Sequence, residues 1–273
     1  MDATPDPIPT SRSLSVRLAD GRTIGYAEYG DPDGLPVLAL HGTPGSRFMF
    51  ALTDEAARER GLRLIAPERP GYGLSDFRHA SSLKDIAADV VALADGLGVQ
   101  RCAVIGVSGG GPHAVATACA MRDRVAMLAL ISPVGPVADC ADRIKMSSMH
   151  ELIFLQLGRS SALCRAFFRS VGFMLRYAPN FARGLLKRRV PVTDRRVFDR
   201  PEVIANLQAA VREGLRQGVD GDVQDLRLLR APGTCPWLSS MFPPCCGRAA
   251  KTRSFRPRPL MSSRVRCRIA GWK

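Results

Sequence analysis

Short apolar runs alternate with amphipathic stretches between residues 37 and 131. The runs lie at 37–40, 62–66, 103–107 and 125–131, and all are too apolar for strands that keep one face in water. Helical periodicity fills the intervals at about 49–60, 82–97 and 110–121. This alternation predicts a mostly parallel sheet with helices on both faces.

The chain follows other patterns on either side of this region. Residues 15–18 and 23–29 alternate with period two about Asp20-Gly21, which predicts a β-hairpin. From about 144 to 216 the pattern is helical only, and it carries an apolar stripe of Leu152, Leu155, Leu163, Phe167, Phe168, Val171, Met174 and Leu175. The stripe fits an amphipathic helix packed on the sheet, a membrane-docking face, or a lid over a substrate pocket, and its place in the chain favours the lid.

Length and charge separate the last 43 residues from the rest of the chain. A chain of 273 residues is long enough for one large α/β domain, and its net charge is +14. Residues 231–273 hold nine Lys or Arg and no Asp or Glu, whereas the first 230 residues hold 30 basic and 25 acidic side chains. The positive charge is therefore a property of the tail, and the remainder has the balance of an ordinary enzyme.

The N-terminus has neither a basic start nor an apolar run, and no uncharged apolar stretch reaches 18 residues. These features predict a cytoplasmic protein with no secretory signal and no transmembrane segment. The eight cysteines show no pair with zinc-ligand spacing, so we expect reduced thiols and no metal site.

The segment Gly106-Val107-Ser108-Gly109-Gly110 directly follows an apolar strand and precedes a helical stretch. A nucleophile elbow requires this strand–turn–helix context, because the sharp turn exposes the serine hydroxyl above the sheet. Small residues must flank such a turn so that strand and helix can close around it. Ser108 is therefore the predicted nucleophile.

Three motifs in order give the chain a resemblance to the α/β-hydrolase superfamily over about residues 13 to 230. His41-Gly42-Thr43-Pro44-Gly45 follows the third predicted strand, and the segment from Arg69 to Asp76 follows the fourth. The Ser108 elbow follows the fifth. One such motif is a weak signal, but three at strand ends in this order are specific.

The resemblance implies an α/β-hydrolase fold with a helical cap and a serine hydrolase activity on an ester or related acyl compound. It implies that the backbone N–H groups of Thr43 and Gly109 form the oxyanion hole. His41 and Gly42 would shape the adjacent loop, and Gly106 and Gly110 would support the elbow. A small-molecule acyl substrate is implied, with no cofactor, no metal and no specific nucleic acid, and the oligomeric state is left open.

The base and acid of the catalytic triad are missing from their expected place. The family order is Ser, Asp, His, yet no histidine follows His150. The sequence places His79 in a polar turn, His113 on the helix behind the elbow and His150 in the cap. Asp139 or Asp142 could replace the acid, but an acid without its histidine activates nothing.

A shift of reading frame explains both the missing residues and the change of composition. Moved back by one base, the codons of residues 241–247 can read Asp-Val-Pro-x-Val-Leu-Trp, and those that follow can read Gly-Gly-Glu-Asp-x-Val-Val-Pro. This text resembles the seventh strand and acid loop of the family. We therefore expect a one-base deletion near Pro232, which leaves the last strands and the catalytic Asp and His absent.

The predicted organisation is a core at 1–133, a cap at 134–218, a return to the core at 219–230 and a disordered, out-of-frame basic tail at 231–273. The predicted function is a serine hydrolase that is inactive in this chain. The alternative is a non-catalytic hydrolase-like binding protein whose tail binds polyanions.

Overall fold

The computed structural model describes residues 13–135, 153, 156–189, 195–230 and 266–269. Within these residues one sheet has the strand order β1-β2-β4-β3-β5-β6-β7. Its strands are β1 (Leu14–Arg17), β2 (Thr23–Gly30), β3 (Leu35–Leu40), β4 (Leu62–Pro67), β5 (Cys102–Val107), β6 (Val125–Ile131) and β7 (Arg266–Ile269). Strand β2 runs antiparallel to β1 and β4, and the remaining pairs are parallel. The predicted hairpin and mostly parallel sheet are confirmed.

The central strands are apolar on both faces because both faces are covered. Leu38 and Leu40 of β3 belong to one buried cluster, while Val37 and Ala39 point into another on the opposite side. The first cluster includes side chains of the helices before and after β5, and the second includes Phe50 and Ala57. Alternate residues of a strand face opposite sides of a sheet, so this strand could not carry a polar face.

Three helices accompany the first six strands. They are α1 (Asp54–Arg58), α2 (Leu83–Gly96) and α3 (Gly110–Ala120). The predicted helix at 49–60 is a 3₁₀ segment, Arg47–Thr53, followed by the short α1. Helix α2 begins where predicted, because the Asp85 carboxylate accepts bonds from the N–H groups of Ser81 and Ser82 at 2.7 and 2.9 Å.

The described residues between 156 and 230 contain five further α-helices. They are α4 (Ser161–Tyr177), α5 (Pro179–Arg189), α6 (Arg195–Phe198), α7 (Pro201–Gly214) and α8 (Asp220–Arg230). Of the described helices, none has the length and apolar composition needed to cross a bilayer. The described part of the predicted helical interval is thus helical, while the limits of a cap remain a prediction.

The predicted apolar stripe is buried in its centre and exposed at its start. Phe168 and Leu175 of α4 are buried, and Phe167, Val171 and Met174 pack partly buried beside them. Leu163 differs from the expectation, since 58% of it is exposed in the first turn of α4. Leu152 and Leu155 lie outside the described residues.

A buried ion pair joins the helical region to the sheet domain. The Arg47 guanidinium lies 2.7 Å from the Glu68 carboxylate and 2.8 Å from the Glu213 carboxylate at the end of α7. A Cβ atom on Gly214 would collide with the carbonyl of Gly45, so α7 approaches the loop after β3 at backbone distance. The end of α7 is therefore fixed beside the motif that follows β3.

Strand β7 differs from the expectation that the tail is disordered. It pairs in parallel with β6 through residues 266–269, from Met127↔Arg266 to Leu130↔Ile269. The rest of the tail lies outside the described residues. The outer edge of β6 would otherwise present unpaired N–H and C=O groups, and any extended segment can satisfy them.

Candidate active site

Ser108 lies in the turn between β5 and α3 with a φ of 50°. This left-handed conformation is uncommon for a residue with a side chain and is typical of strained functional turns. The Ser108 N–H donates to the Ile131 carbonyl at 2.9 Å, and the Ser108 carbonyl accepts from the N–H groups of Gly111 and Val134 at 3.0 Å each. Strand β6 and the first turn of α3 therefore hold the serine in place.

The glycines around the elbow are required by close packing. A Cβ atom on Gly106 would lie 2.6 Å from the Cβ of Ala114, and one on Gly110 would collide with the carbonyls of Leu40 and His41. Helix α3 thus rests directly on the ends of β3 and β5. A side chain at either position would therefore force the helix away from the strands, and the role of both glycines in supporting a catalytic turn stays a prediction.

The loop after β3 lies against the elbow. A Cβ atom on Gly109 would stand 3.2 Å from the Thr43 backbone nitrogen, and one on Gly42 would stand 3.4 Å from the Ser108 Cβ. The Thr43-Pro44 bond is cis. The structure therefore brings together the four residues that the sequence singled out at this point: Gly42, Thr43, Ser108 and Gly109.

Arg69 holds the backbone of that loop. Its Nη1 donates to the His41 carbonyl at 2.5 Å, and its Nη2 donates to the Gly42 carbonyl at 3.1 Å and to the Thr43 hydroxyl at 2.9 Å. The side chain is only 3% exposed, so its charge must be balanced inside the protein. One guanidinium thereby fixes three consecutive residues next to Ser108.

Asp225 of α8 balances the charge of Arg69 and gathers the other polar groups. Its Oδ2 accepts from Arg69 Nη2, from the Thr43 hydroxyl and from the Tyr72 hydroxyl, each at 2.7 Å. Its Oδ1 lies 3.2 Å from Nε2 of His113, although the two atoms are not aligned as a hydrogen bond. We call Thr43, Arg69, Tyr72, His113 and Asp225 the buried polar network.

Burial and the Arg69 charge set the ionisation of this network. Burial alone would raise the pKa of Asp225, but the Arg69 guanidinium outweighs it and holds that pKa well below its usual range. Burial, reinforced by the negative charge of Asp225, raises the pKa of neighbouring Asp222 well above its usual value. An ionised Asp225 therefore faces Arg69, while Asp222 favours its neutral form.

The described histidines are not placed as a base for Ser108. His41 is buried, its Nδ1 bonds the Gly42 carbonyl at 2.8 Å, and its Nε2 accepts from the Arg69 N–H at 3.4 Å. Burial, with the Arg69 charge, lowers the pKa of His41 well below its usual value. Both ring nitrogens of this neutral imidazole are thus hydrogen-bonded by the main chain, and the loop-shaping role of His41 stays a prediction.

His113 and His79 form no hydrogen bond with Ser108 either. His113 is 1% exposed beneath the elbow, and burial lowers its pKa despite the opposing attraction of Asp225. His79 is exposed, and its Nε2 lies 2.9 Å from the Arg227 guanidinium. His150, Asp139 and Asp142 lie outside the described residues.

Sequence reasoning missed Asp225 and Asp222. The two acids stand three residues apart in the segment Asp220-Gly221-Asp222-Val223-Gln224-Asp225, which reads as the acidic first turns of a helix. Asp225 meets Arg69 across 156 residues of chain, so only the fold reveals their contact. The one available signal was an acid inside a helix whose neighbours, Leu226, Leu228 and Leu229, are buried.

Comparisons with known proteins agree on one fold. The profile of the alpha/beta hydrolase fold family matches residues 36–160. The chain is 39% identical over 131 residues to a non-heme chloroperoxidase of Streptomyces lividans, a match that covers 45% of each chain. It is 35% identical over 124 residues to the uncharacterized hydrolase YcgS of Bacillus subtilis, covering 45% of this chain and 42% of that protein. These matches span less than half the length of either relative.

Solved structures extend the likeness beyond the matched segment. A thermophilic esterase from Thermogutta terrifontis superimposes with a TM-score of 0.53 at 23% identity, over 80% of this chain and 72% of that one. At this identity the likeness concerns the fold alone. The superposition therefore supports the sheet and helix arrangement and leaves the substrate open.

Proposed function

The chain belongs to the α/β-hydrolase superfamily, and from that premise we propose that its site is that of a serine hydrolase acting on an ester or related acyl compound. The observation that carries the proposal is the strained Ser108 turn, with Gly109 packed against Thr43. The similarity to the uncharacterized hydrolase YcgS supports the same reaction class, hydrolysis.

In this proposal the Ser108 hydroxyl attacks the substrate carbonyl and gives a tetrahedral intermediate. The backbone N–H groups of Thr43 and Gly109 donate to the oxyanion, a contribution of about 3–4 kcal/mol for a donor of this kind. Collapse of the intermediate breaks the ester C–O bond, the leaving oxygen departs as the alcohol with the proton that the Ser108 hydroxyl lost, and water hydrolyses the acyl-enzyme that remains. Serine at the elbow disfavours a dehalogenase, which would use aspartate there.

The polar network supports the oxyanion loop. Asp225 accepts from the Thr43 hydroxyl and orients Arg69, which in turn bonds the carbonyls of His41 and Gly42. An oxyanion hole needs its donors fixed before the charge develops, because reorientation during the reaction costs free energy. We therefore assign Asp225 and Arg69 positioning roles rather than direct catalysis.

We propose further that this chain is nearly inactive. A serine without a base keeps the weak nucleophilicity of an alcohol, and loss of a triad member costs about 10⁴ to 10⁶ in kcat. The absence of any histidine after His150 motivates this part of the proposal. The out-of-frame text after residue 231 accounts for the loss of both the acid and the base.

The test compares the present chain with one whose frame is restored by one inserted base near codon 232. Both are assayed on short p-nitrophenyl esters and labelled with a fluorophosphonate, each beside its Ser108→Ala variant. We expect negligible turnover by the present chain, and fast labelling by the restored chain that depends on Ser108. Robust turnover by the present chain that disappears in Ser108→Ala would overturn the inactivity. A restored chain as unreactive as the present one would overturn the hydrolase assignment.

A second function is favoured by the charge of the tail. Nine basic and no acidic residues after residue 230 fit a polyanion-binding arm on a non-catalytic, hydrolase-like protein. Under this alternative, the nucleotide sequence confirms the present frame, and substitution of the tail arginines abolishes salt-sensitive polyanion binding. A corrected frame at the source excludes it.

A further inference from the structure

Helices α4 and α5 expose large apolar side chains to solvent. Phe173 and Tyr177 lie one turn apart on α4, 66% and 64% exposed, with ring centroids 4.6 Å apart. Phe181 and Leu185 lie one turn apart on α5, 67% and 40% exposed. We call these four residues the cap face. Soluble proteins rarely expose several large apolar side chains on two consecutive helices without a function.

The cap face is not the packing side of these helices. Leu175 of α4 and Ala182 of α5 are buried in one cluster with Val211 of α7. On a helix, Leu175 lies opposite Phe173 and Tyr177, because two residues correspond to about 200° of rotation. The inner side of α4 is therefore already packed, and Phe173 and Tyr177 on its other side point away from the fold.

The charged residues of α4 and α5 all have one sign. Residues 152–193 contain eight Lys or Arg and no Asp or Glu. Arg169, Arg176, Arg183 and Arg188 are exposed, and none of them forms an ion pair with another residue in the part of the chain that the structure describes. The Arg176 guanidinium lies 5.6 Å from the centre of the Tyr177 ring. Arg165 differs, since it pairs with Asp220.

We propose that the cap face binds the surface of an anionic phospholipid bilayer. The aromatic residues and Leu185 enter the boundary between headgroups and acyl chains, while the surrounding arginines contact lipid phosphates. A nucleic acid would also attract the arginines, but it offers no apolar phase for Leu185 and Phe181. The attachment is peripheral and does not depend on the chemistry of Ser108.

The first test is co-sedimentation of the full chain with vesicles of phosphatidylcholine, alone or mixed with phosphatidylglycerol. The tail also attracts anionic vesicles through its nine basic residues, so the decisive comparison is between variants. We expect the double variant Phe173→Ser, Phe181→Ser to partition on the order of tenfold or more weakly into the mixed vesicles, since two large apolar side chains are lost. The matched control is Leu35→Ser, Phe77→Ser, whose residues are 71% and 45% exposed outside the cap, and we expect no change there.

The second test reports insertion directly. Phe181→Trp is made in a background of Trp237→Phe and Trp272→Phe, so that the cap holds the one tryptophan, and Leu35→Trp in the same background is the control. Anionic vesicles should shift the emission of the Phe181→Trp variant to the blue and brominated lipids should quench it, whereas the control emission should stay unchanged.

Equal partitioning of the cap variant and its control, or an unshifted emission from the cap tryptophan, would overturn the proposal. The same variants are also assayed on duplex DNA. A loss of DNA binding by the cap variant larger than its loss of vesicle binding would assign the face to nucleic acid and would equally overturn it.

Discussion

The buried polar network pairs its positive charge with an acid, whereas the tail carries positive charge in a sequence without acids. In the network, the Arg69 charge is enclosed and answered by Asp225, and every donor of its guanidinium that we describe has an acceptor. In residues 231–273, nine positive side chains stand in a sequence with no acid at all. A buried charge without a partner is costly, so Arg69 needs the Asp225 carboxylate, whereas the sequence of the tail offers its positive side chains no acid within the same segment.

The two regions also differ in their local sequence signals. In the described residues up to 230, most strand periods, turn residues and helix starts agree with one structure, as natural sequences normally do. The tail concentrates both tryptophans, four of eight cysteines and six of twenty prolines in 43 residues. Under the proposed shift of reading frame the two regions come from different frames, and each region can be tested on its own.

The largest stability effect is expected in the network. Asp225→Asn should lower the free energy of unfolding by about 3–5 kcal/mol, because it leaves the buried Arg69 charge without its partner. Asp220→Asn is the matched control on the same helix, where the pair with Arg165 is exposed and is worth about 1 kcal/mol at most. Urea unfolding of the full chain measures both. A loss at Asp225 no larger than that at Asp220 would show that the network does not stabilise the fold.

A smaller change in the free energy of unfolding is expected when the pH is lowered. Burial holds the folded pKa of His113 below its ordinary value, so the unfolded chain takes up a proton below about pH 6.5 that the folded chain refuses. Stability should therefore fall as pH drops through this window, by up to about 1.4 kcal/mol per pH unit for each such histidine. His41, whose pKa is also lowered by burial, contributes in the same direction.

The variant His113→Gln should flatten this pH dependence, because it removes one of the two buried histidines. His79→Gln is the control, since that ring lies in an exposed contact with Arg227. Urea unfolding between pH 7.5 and pH 5 measures the slopes. Parallel slopes for His113→Gln and the unsubstituted chain would contradict the assignment of His113 as a buried neutral group.

The smallest effect is expected in the tail. Replacing Arg266, Cys267, Arg268 and Ile269 together by Gly, Ser, Gly and Ser should change the free energy of unfolding by less than about 1 kcal/mol. Each ladder hydrogen bond of this edge strand contributes about 0.5–1.5 kcal/mol, and ordering each residue costs about 1–2 kcal/mol. Denaturant unfolding against the unsubstituted chain measures the change. A loss of several kcal/mol would mean that β7 is an integral strand and that the tail was selected.

Much of the fold could be predicted from the sequence because its signals are local. The strand at 103–107, the small residues around Ser108 and the helix start at Ser82 are each specified by neighbouring residues. The 3₁₀ segment Arg47–Thr53 was not separated from α1, since both share one apolar pattern. The pairing of β7 with β6 could not be predicted, because Arg-Cys-Arg-Ile is a short segment that any free sheet edge can accept.

The candidate site likewise contains residues that the sequence predicts and residues that it does not. Ser108, Gly42, Thr43 and Gly109 follow from motifs at strand ends, and the structure places them beside each other. Asp225 could not be found, because its contacts with Thr43, Arg69 and Tyr72 join residues more than 150 positions apart. Long-range polar contacts leave no periodic trace in a single sequence, whereas a tight turn must carry its glycines locally.

The most direct test of the account is the nucleotide sequence around codons 230 to 236, determined again from the source. We expect one base to be missing near codon 232, and the corrected frame to encode an Asp after a Val-Leu-Trp strand and, some 25 to 30 residues later, a Gly-His pair, as the Ser, Asp, His order requires. A confirmed present frame, or a corrected frame that stops early or contains no histidine, would contradict the account.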